Sequence, residues 1–221
     1  MMFFSSIIAL LAASAALASP VEKRACNSYV IISTRGTGEP QGPSVGFVTM
    51  IADTLKNVPG GVELDTVYPA GIDQNSSGAT AFIINTINSG LASCPNQVYA
   101  LLGYSQGATA TVDALKQIST TSAAGKAVKA VVLIGDPEHE PGKQSNVDQT
   151  GGSSTDNATG IEGHVAGAGI PNTWDASGKV LDICFQGDGV CSGFAITEQH
   201  LLYGSTASVQ TLGANFLTPR V

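Results

Sequence analysis

Residues 98–118 read VYALLGYSQGATATVDALKQI, and their pattern decides the fold. Val98–Leu102 is a short, continuous apolar run, the mark of a strand buried on both faces. From residue 106 to 118 the apolar positions change to helical spacing, with Ala108, Val112 and Leu115 on one side. Between the two stands Gly103-Tyr104-Ser105-Gln106-Gly107. A strand, a sharp turn and a departing helix would lift the Ser105 hydroxyl clear of the sheet, and glycines flank the serine because side chains there would collide with strand and helix. The G-x-S-x-G pattern is weak by itself, since Gly42-Pro43-Ser44-Val45-Gly46 fits it too. That second match follows a Pro- and Gly-rich loop with no strand directly before it, so Ser44 reads as the N-cap of the first long helix.

Outward from this core the rhythm repeats. Ser28–Ser33, Val62–Tyr68, Val128–Ile134 and Lys179–Cys184 read as further strands. A helix after the first strand places Val45, Val48, Ala52 and Leu55 on one face, a second over 78–91 aligns Ile84, Ile87 and Leu91, and the tail is helical from about Ser205. Apolar strands bounded by helices predict an α/β fold, a three-layer α/β/α sandwich of about five parallel strands. Residues 142–178, rich in Gly, Ser, Asn, Thr and Asp, break the pattern. So long a structureless loop is unusual in a compact domain; the segment either hides a short helix or decorates the rim of the site.

The apolar stretch over residues 3–18, closing on Ala16-Leu17-Ala18, reads as a signal peptide, and 19–24, ending in Lys23-Arg24, as a pro-peptide. Residues 25–221 then form a single secreted domain. The run is short for a membrane span and lacks a charged stop-transfer flank, so no stable membrane anchor is expected. A net charge of −7 with only 12% charged residues disfavours nucleic acid as a partner. Cys26, Cys94, Cys184 and Cys191 read as two disulfides with three possible pairings; the short Cys184–Cys191 spacing favours a local loop, leaving Cys26 with Cys94. No C-x-x-C occurs and the three histidines are scattered, which argues against a metal. Sequons stand at Asn75 and Asn157.

A serine at such a turn is made reactive by a histidine oriented by a carboxylate, and in sheets of this kind acid and then histidine follow the serine along the chain. Of the histidines, His164 lies in the Gly-rich segment and His139 between two glutamates. His200 lies beyond the last strand, just before the terminal helix, where the base belongs. Asp136, Asp182 and Asp188 compete for the acid. Asp182 is inside a strand and Asp136 closes the fourth one, whereas Asp188 sits in the Cys184–Cys191 loop, where a disulfide would hold a carboxylate still. Candidate oxyanion donors are Gln106, after the nucleophile, and Thr37, in the loop Thr34-Arg35-Gly36-Thr37-Gly38-Glu39-Pro40. That loop is one residue too long for a dinucleotide-binding G-x-G-x-x-G. Tyr104, Val190, Phe194, Ile196 and Leu201 are candidates to contact substrate.

Four ordered blocks, TRGTGEPQG at 34–42, GYSQG at 103–107, CFQGDGVC at 184–191 and HLLY at 200–203, resemble the cutinase family over nearly the whole chain from residue 25, and lie closest to its cutinase-like polyesterases. The resemblance implies a minimal α/β-hydrolase without a lid. It implies a triad of Ser105, Asp188 and His200, an oxyanion hole at Thr37 and Gln106, and disulfides Cys26–Cys94 and Cys184–Cys191. Some members support the oxyanion loop with an Asn after the second strand, for which Asn75 is the nearest match. The expected activity is hydrolysis of cutin, similar aliphatic polyesters and short-to-medium acyl esters, by a monomer that needs no cofactor. The alternatives are an acetylxylan esterase of the same family and, in another class, a catalytically silent extracellular binding protein.

Overall fold

The computed structural model describes residues 26–193 and 195–221. The signal peptide and pro-peptide readings, and Phe194, lie outside the described residues. The strands are β1 (Tyr29–Thr34), β2 (Gly61–Asp65), β3 (Val98–Tyr104), β4 (Val128–Ile134), β5 (Asn146–Val147) and β6 (Val180–Ile183). The helices are α1 (Val48–Asn57), α2 (Ser77–Ser93), α3 (Gln106–Gln117), α4 (Ala123–Ala127), α5 (Asn172–Asp175) and α6 (Ala207–Leu217). All strands pair in parallel, in the order β2-β1-β3-β4-β6-β5. The sheet thus has one strand more than the five expected. The addition is the two-residue β5, drawn from the irregular segment.

Successive side chains on a strand face opposite ways, and both faces of this sheet are apolar. Leu101, Val131 and Leu133 meet Ile83 and Ile87 of α2 and Val112 and Leu115 of α3. Leu102, Val132 and Ile134 meet Met50 and Ile51 of α1 and Val209 and Leu217 of α6. This is the three-layer sandwich, with β3 and the start of α3 near its middle.

Two local expectations are corrected. The buried face of α1 is Phe47, Met50, Ile51 and Thr54, while Val45, Val48 and Ala52 face solvent. The segment carries two apolar stripes. Burying a large side chain contributes about 1.5–3 kcal/mol, so the stripe with Phe47 and Met50 wins over one with Val45 and Ala52. Ser44 is not the helix N-cap: α1 begins at Val48, and Ser44 instead heads the preceding turn, its Oγ accepting the Gly46 N–H at 3.2 Å.

The irregular segment is pinned rather than loose. Trp174 of α5 is fully buried, and its Nε1–H donates to the carbonyls of Leu115 and Ile118 at 3.1 and 2.8 Å, satisfying the C-terminal end of α3. Disulfides join Cys26 to Cys94 and Cys184 to Cys191.

Candidate active site

Ser105 joins β3 to α3 with φ 53° and ψ −121°, a conformation that costs a residue with a Cβ about 1–3 kcal/mol. The glycines on either side have steric causes. A Cβ on Gly103 would lie 2.5 Å from the Gly107 carbonyl oxygen and 2.6 Å from Thr111 Oγ1. A Cβ on Gly107 would overlap the carbonyls of Thr34 and Arg35. The Ser105 N–H donates to Ile134 O at 3.0 Å, tying the turn to β4.

His200 lies in a 3-10 turn, Glu198–Leu201, and is buried. Its Nε2 is 2.9 Å from Ser105 Oγ, and its Nδ1 is 3.0 and 2.9 Å from the two Asp188 oxygens. With Nδ1–H donated to the carboxylate, Nε2 is left bare to accept the serine proton. Tyr104 Oη donates to the His200 backbone carbonyl at 2.7 Å, anchoring the turn, and Gly135, at φ 57°, leaves the imidazole space that a Cβ would fill 2.7 Å from His200 Cε1. Asp188 is fully buried within the Cys184–Cys191 loop, and its Oδ1 accepts the Val190 N–H at 2.8 Å. Asp136 and Asp182, the competing acids, make no hydrogen bond to His200.

The loop carrying Thr37 is clamped by its own charges. Buried Arg35 donates to the carbonyls of Glu39, Thr66 and Tyr68, and the Glu39 carboxylate accepts from the Gly36 and Val45 N–H groups and Ser44 Oγ. Two polar residues of the TRGTGEPQG block are therefore structural. Thr37 Oγ1 lies 3.4 Å from Gln106 Oε1 and 3.1 Å from Gln74 Nε2. Among the described residues the backbone N–H groups of Thr37 and Gln106 have no hydrogen-bond acceptor. Gln74, at φ 56° and next to Asn75, is the side chain whose amide meets Thr37. Asn75 instead accepts from the N–H and Oγ of Ser77 at 3.2 and 2.6 Å, at the start of α2.

The model of the cutinase family matches residues 25–221. This chain belongs to the cutinase family. It is 50% identical to a cutinase-like protein from Cryptococcus sp., with 90% of this chain and 97% of that one covered and a TM-score of 0.84. It is 29% identical to a cutinase of Monilinia fructicola over 92% of this chain and 90% of that one. It is 26% identical to acetylxylan esterase 2 of Talaromyces purpureogenus over 95% and 94%. Family membership makes the chain a carboxylic ester hydrolase on an α/β-hydrolase fold. Among the described residues no helix is long and apolar enough to cross a membrane.

In this cutinase-family fold Ser105 lines a cleft of about 230 Å³. Tyr104 and Val190, both buried, line it, and Ile196 and Leu201 stand on its rim, 72% and 67% exposed. Pro137, Ile161, Glu162 and Gln74 line it too and carried no sequence signal. Ile161 and Glu162 come from the irregular segment, held by bonds from their N–H groups to Val190 O at 2.9 Å and Pro137 O at 2.8 Å. That segment therefore both contains a short helix and builds one wall of the cleft.

Away from the cleft, His139 Nδ1 is 2.6 Å from Asp182 Oδ2, both side chains fully buried, and His139 Nε2 points at Thr155 O, 3.3 Å away. Burial alone would lower the pKa of His139, but the Asp182 charge and hydrogen bond, with Asp136 nearby, push it up to about 9. Burial, followed by the Asp182 charge, pushes the Asp136 carboxyl well above its usual range. His164 is exposed.

Proposed function

We propose that this chain is a secreted serine esterase acting on cutin or similar aliphatic polyesters and on short-to-medium acyl esters. Ser105 is the nucleophile, His200 the base, Asp188 the acid, and Thr37 and Gln106 the oxyanion donors. His200 Nε2 takes the Ser105 proton as Oγ attacks the ester carbonyl carbon. The oxyanion is held by the unpaired N–H groups of Thr37 and Gln106, with the Thr37 hydroxyl alongside. His200 then protonates the departing alcohol, leaving an acyl-serine. A water gives a proton to His200 and attacks the acyl carbon; as the acyl–Oγ bond breaks and the acid leaves, His200 returns that proton to Ser105 Oγ.

The observation that carries this reading is the 2.9 Å contact of His200 Nε2 with Ser105 Oγ at the floor of an open cleft. Support for a polymeric, apolar substrate comes from the exposed rim, where Ile161, Ile196 and Leu201 offer apolar surface to a chain leaving the cleft. The signal peptide over 1–18 and the pro-peptide over 19–24 belong to the same proposal, as does monomeric action. Two disulfides fit folding in an oxidising compartment.

Ser105→Ala should lower hydrolysis of p-nitrophenyl butyrate by roughly 10⁴-fold or more; wild-type turnover in that variant would sink the assignment. The acetylxylan esterase of Talaromyces purpureogenus supplies a second reading. A series from acetate to octanoate separates the two. Good rates on butyrate and on polyester film support the polyesterase, and a sharp loss beyond acetate supports the acetyl esterase. A secreted product whose first residue is not Ala25 would overturn the processing proposal.

A further inference from the structure

The carboxylate of Asp188 has a partner outside the triad. Tyr203, almost fully buried, donates its hydroxyl to Asp188 Oδ2 at 2.6 Å. We propose that Tyr203 is a positioning residue for ester hydrolysis, fixing the orientation and charge of Asp188 so that His200 is presented to Ser105. The proposal rests on the triad reading above.

The direction of the bond follows from its surroundings. The Phe185 N–H donates to Tyr203 Oη at 2.9 Å, occupying a lone pair and leaving the single hydroxyl proton for the carboxylate. Burial and the Asp188 charge push the Tyr203 pKa well above its ordinary value, so the hydroxyl stays a donor. Asp188 is surrounded by donors: the Val190 N–H on Oδ1, Tyr203 Oη on Oδ2 and His200 Nδ1 across both. A buried carboxylate depends on such bonds to remain charged.

Tyr203 is itself held firmly. Gln210 of α6, buried, donates from Nε2 to Tyr203 O at 2.9 Å and Gly46 O at 2.7 Å, and its Oε1 accepts the Met50 N–H at 2.8 Å. The Tyr203 ring stands edge-on to His200, centroids 6.2 Å apart, and to Phe185, 5.9 Å apart. The packing of α1 and α6 thus reaches Ser105 through Tyr203, Asp188 and His200 in turn.

Tyr203→Phe keeps the ring and removes only the hydroxyl. On p-nitrophenyl butyrate kcat should fall roughly tenfold, the order of one hydrogen bond to a charged group, with KM unchanged. The acid limb of kcat/KM should move to higher pH, because a carboxylate that has lost a donor binds the imidazolium proton more tightly. In an Asp188→Asn background the same change should cost nothing further, since Tyr203 acts through Asp188. A wild-type kcat and an unmoved acid limb in Tyr203→Phe, with Asp188→Asn crippled, would overturn this proposal and leave the triad standing. Equal losses in both backgrounds would also overturn it. Full turnover in Asp188→Asn would remove the triad reading and this proposal with it.

Discussion

Among the described residues two histidine–aspartate pairs differ in what the second imidazole nitrogen meets. In His200–Asp188 the far nitrogen faces Ser105 Oγ at the floor of the cleft. In His139–Asp182 it faces the Thr155 carbonyl inside the protein. A hydroxyl can give up a proton and a carbonyl has none, so the first pair can shuttle a proton while the second can only hold one. With acceptors on both ring nitrogens and Asp136 nearby, His139 is kept as a cation. The cation joins β6 to the loop that also bonds Gly160 N–H to His139 O at 2.8 Å, next to the cleft wall at Ile161. Residue type does not assign the role; the third group does.

The comparison breaks most sharply by exchanging losses. His200→Ala should cost roughly 10⁴-fold in turnover with only a small fall in melting temperature, because Asp188 keeps its bonds from the Val190 N–H and Tyr203 Oη. His139→Gln should do the reverse, losing about 3 kcal/mol of stability by stranding Asp182 while kcat at 20 °C stays close to wild type; calorimetry and initial rates read the two. A smaller effect tests the space reserved for the base. Gly135→Ala should lower kcat on the order of 10²-fold, by displacing the imidazole. Gly142, at φ 76° with open space around it, should lose only about 1 kcal/mol of stability and no activity when changed to Ala.

The smallest effect is a drift with pH. A histidine whose folded pKa is raised contributes stability that is fully present below its ordinary value of 6.5 and is lost as pH rises through about 9. Asp136, raised by burial, adds a loss of the same sign as pH rises. The melting temperature should therefore decline by a few degrees from neutral to mildly alkaline pH, and His139→Gln should flatten that decline. A flat wild-type profile would contradict the cationic assignment.

What the sequence made legible was local. The strands, the elbow and its glycines follow from periodicity and from collisions within a few residues of Ser105, and the order of serine, acid and base along the chain follows from the fold class. The pairing of His139 with Asp182 spans 43 residues and left no local trace. Ile161 and Glu162 reach the cleft through backbone bonds to Val190 and Pro137, which a polar, aperiodic stretch does not announce. That Gln74 rather than its neighbour Asn75 meets Thr37 is a matter of backbone direction that residue type does not encode. On α1 the sequence held two apolar stripes, and the larger side chains of Phe47 and Met50 chose between them.

The claim that His200, and not His139, activates Ser105 is tested most directly by titrating the protein with a p-nitrophenyl alkylphosphonate and mapping the adduct by mass spectrometry. The account predicts one equivalent of p-nitrophenolate per chain and a phosphonylated Ser105, with the reaction nearly abolished in His200→Ala and unchanged in His139→Gln. An adduct on another residue, or equal labelling when His200 is absent, would contradict it.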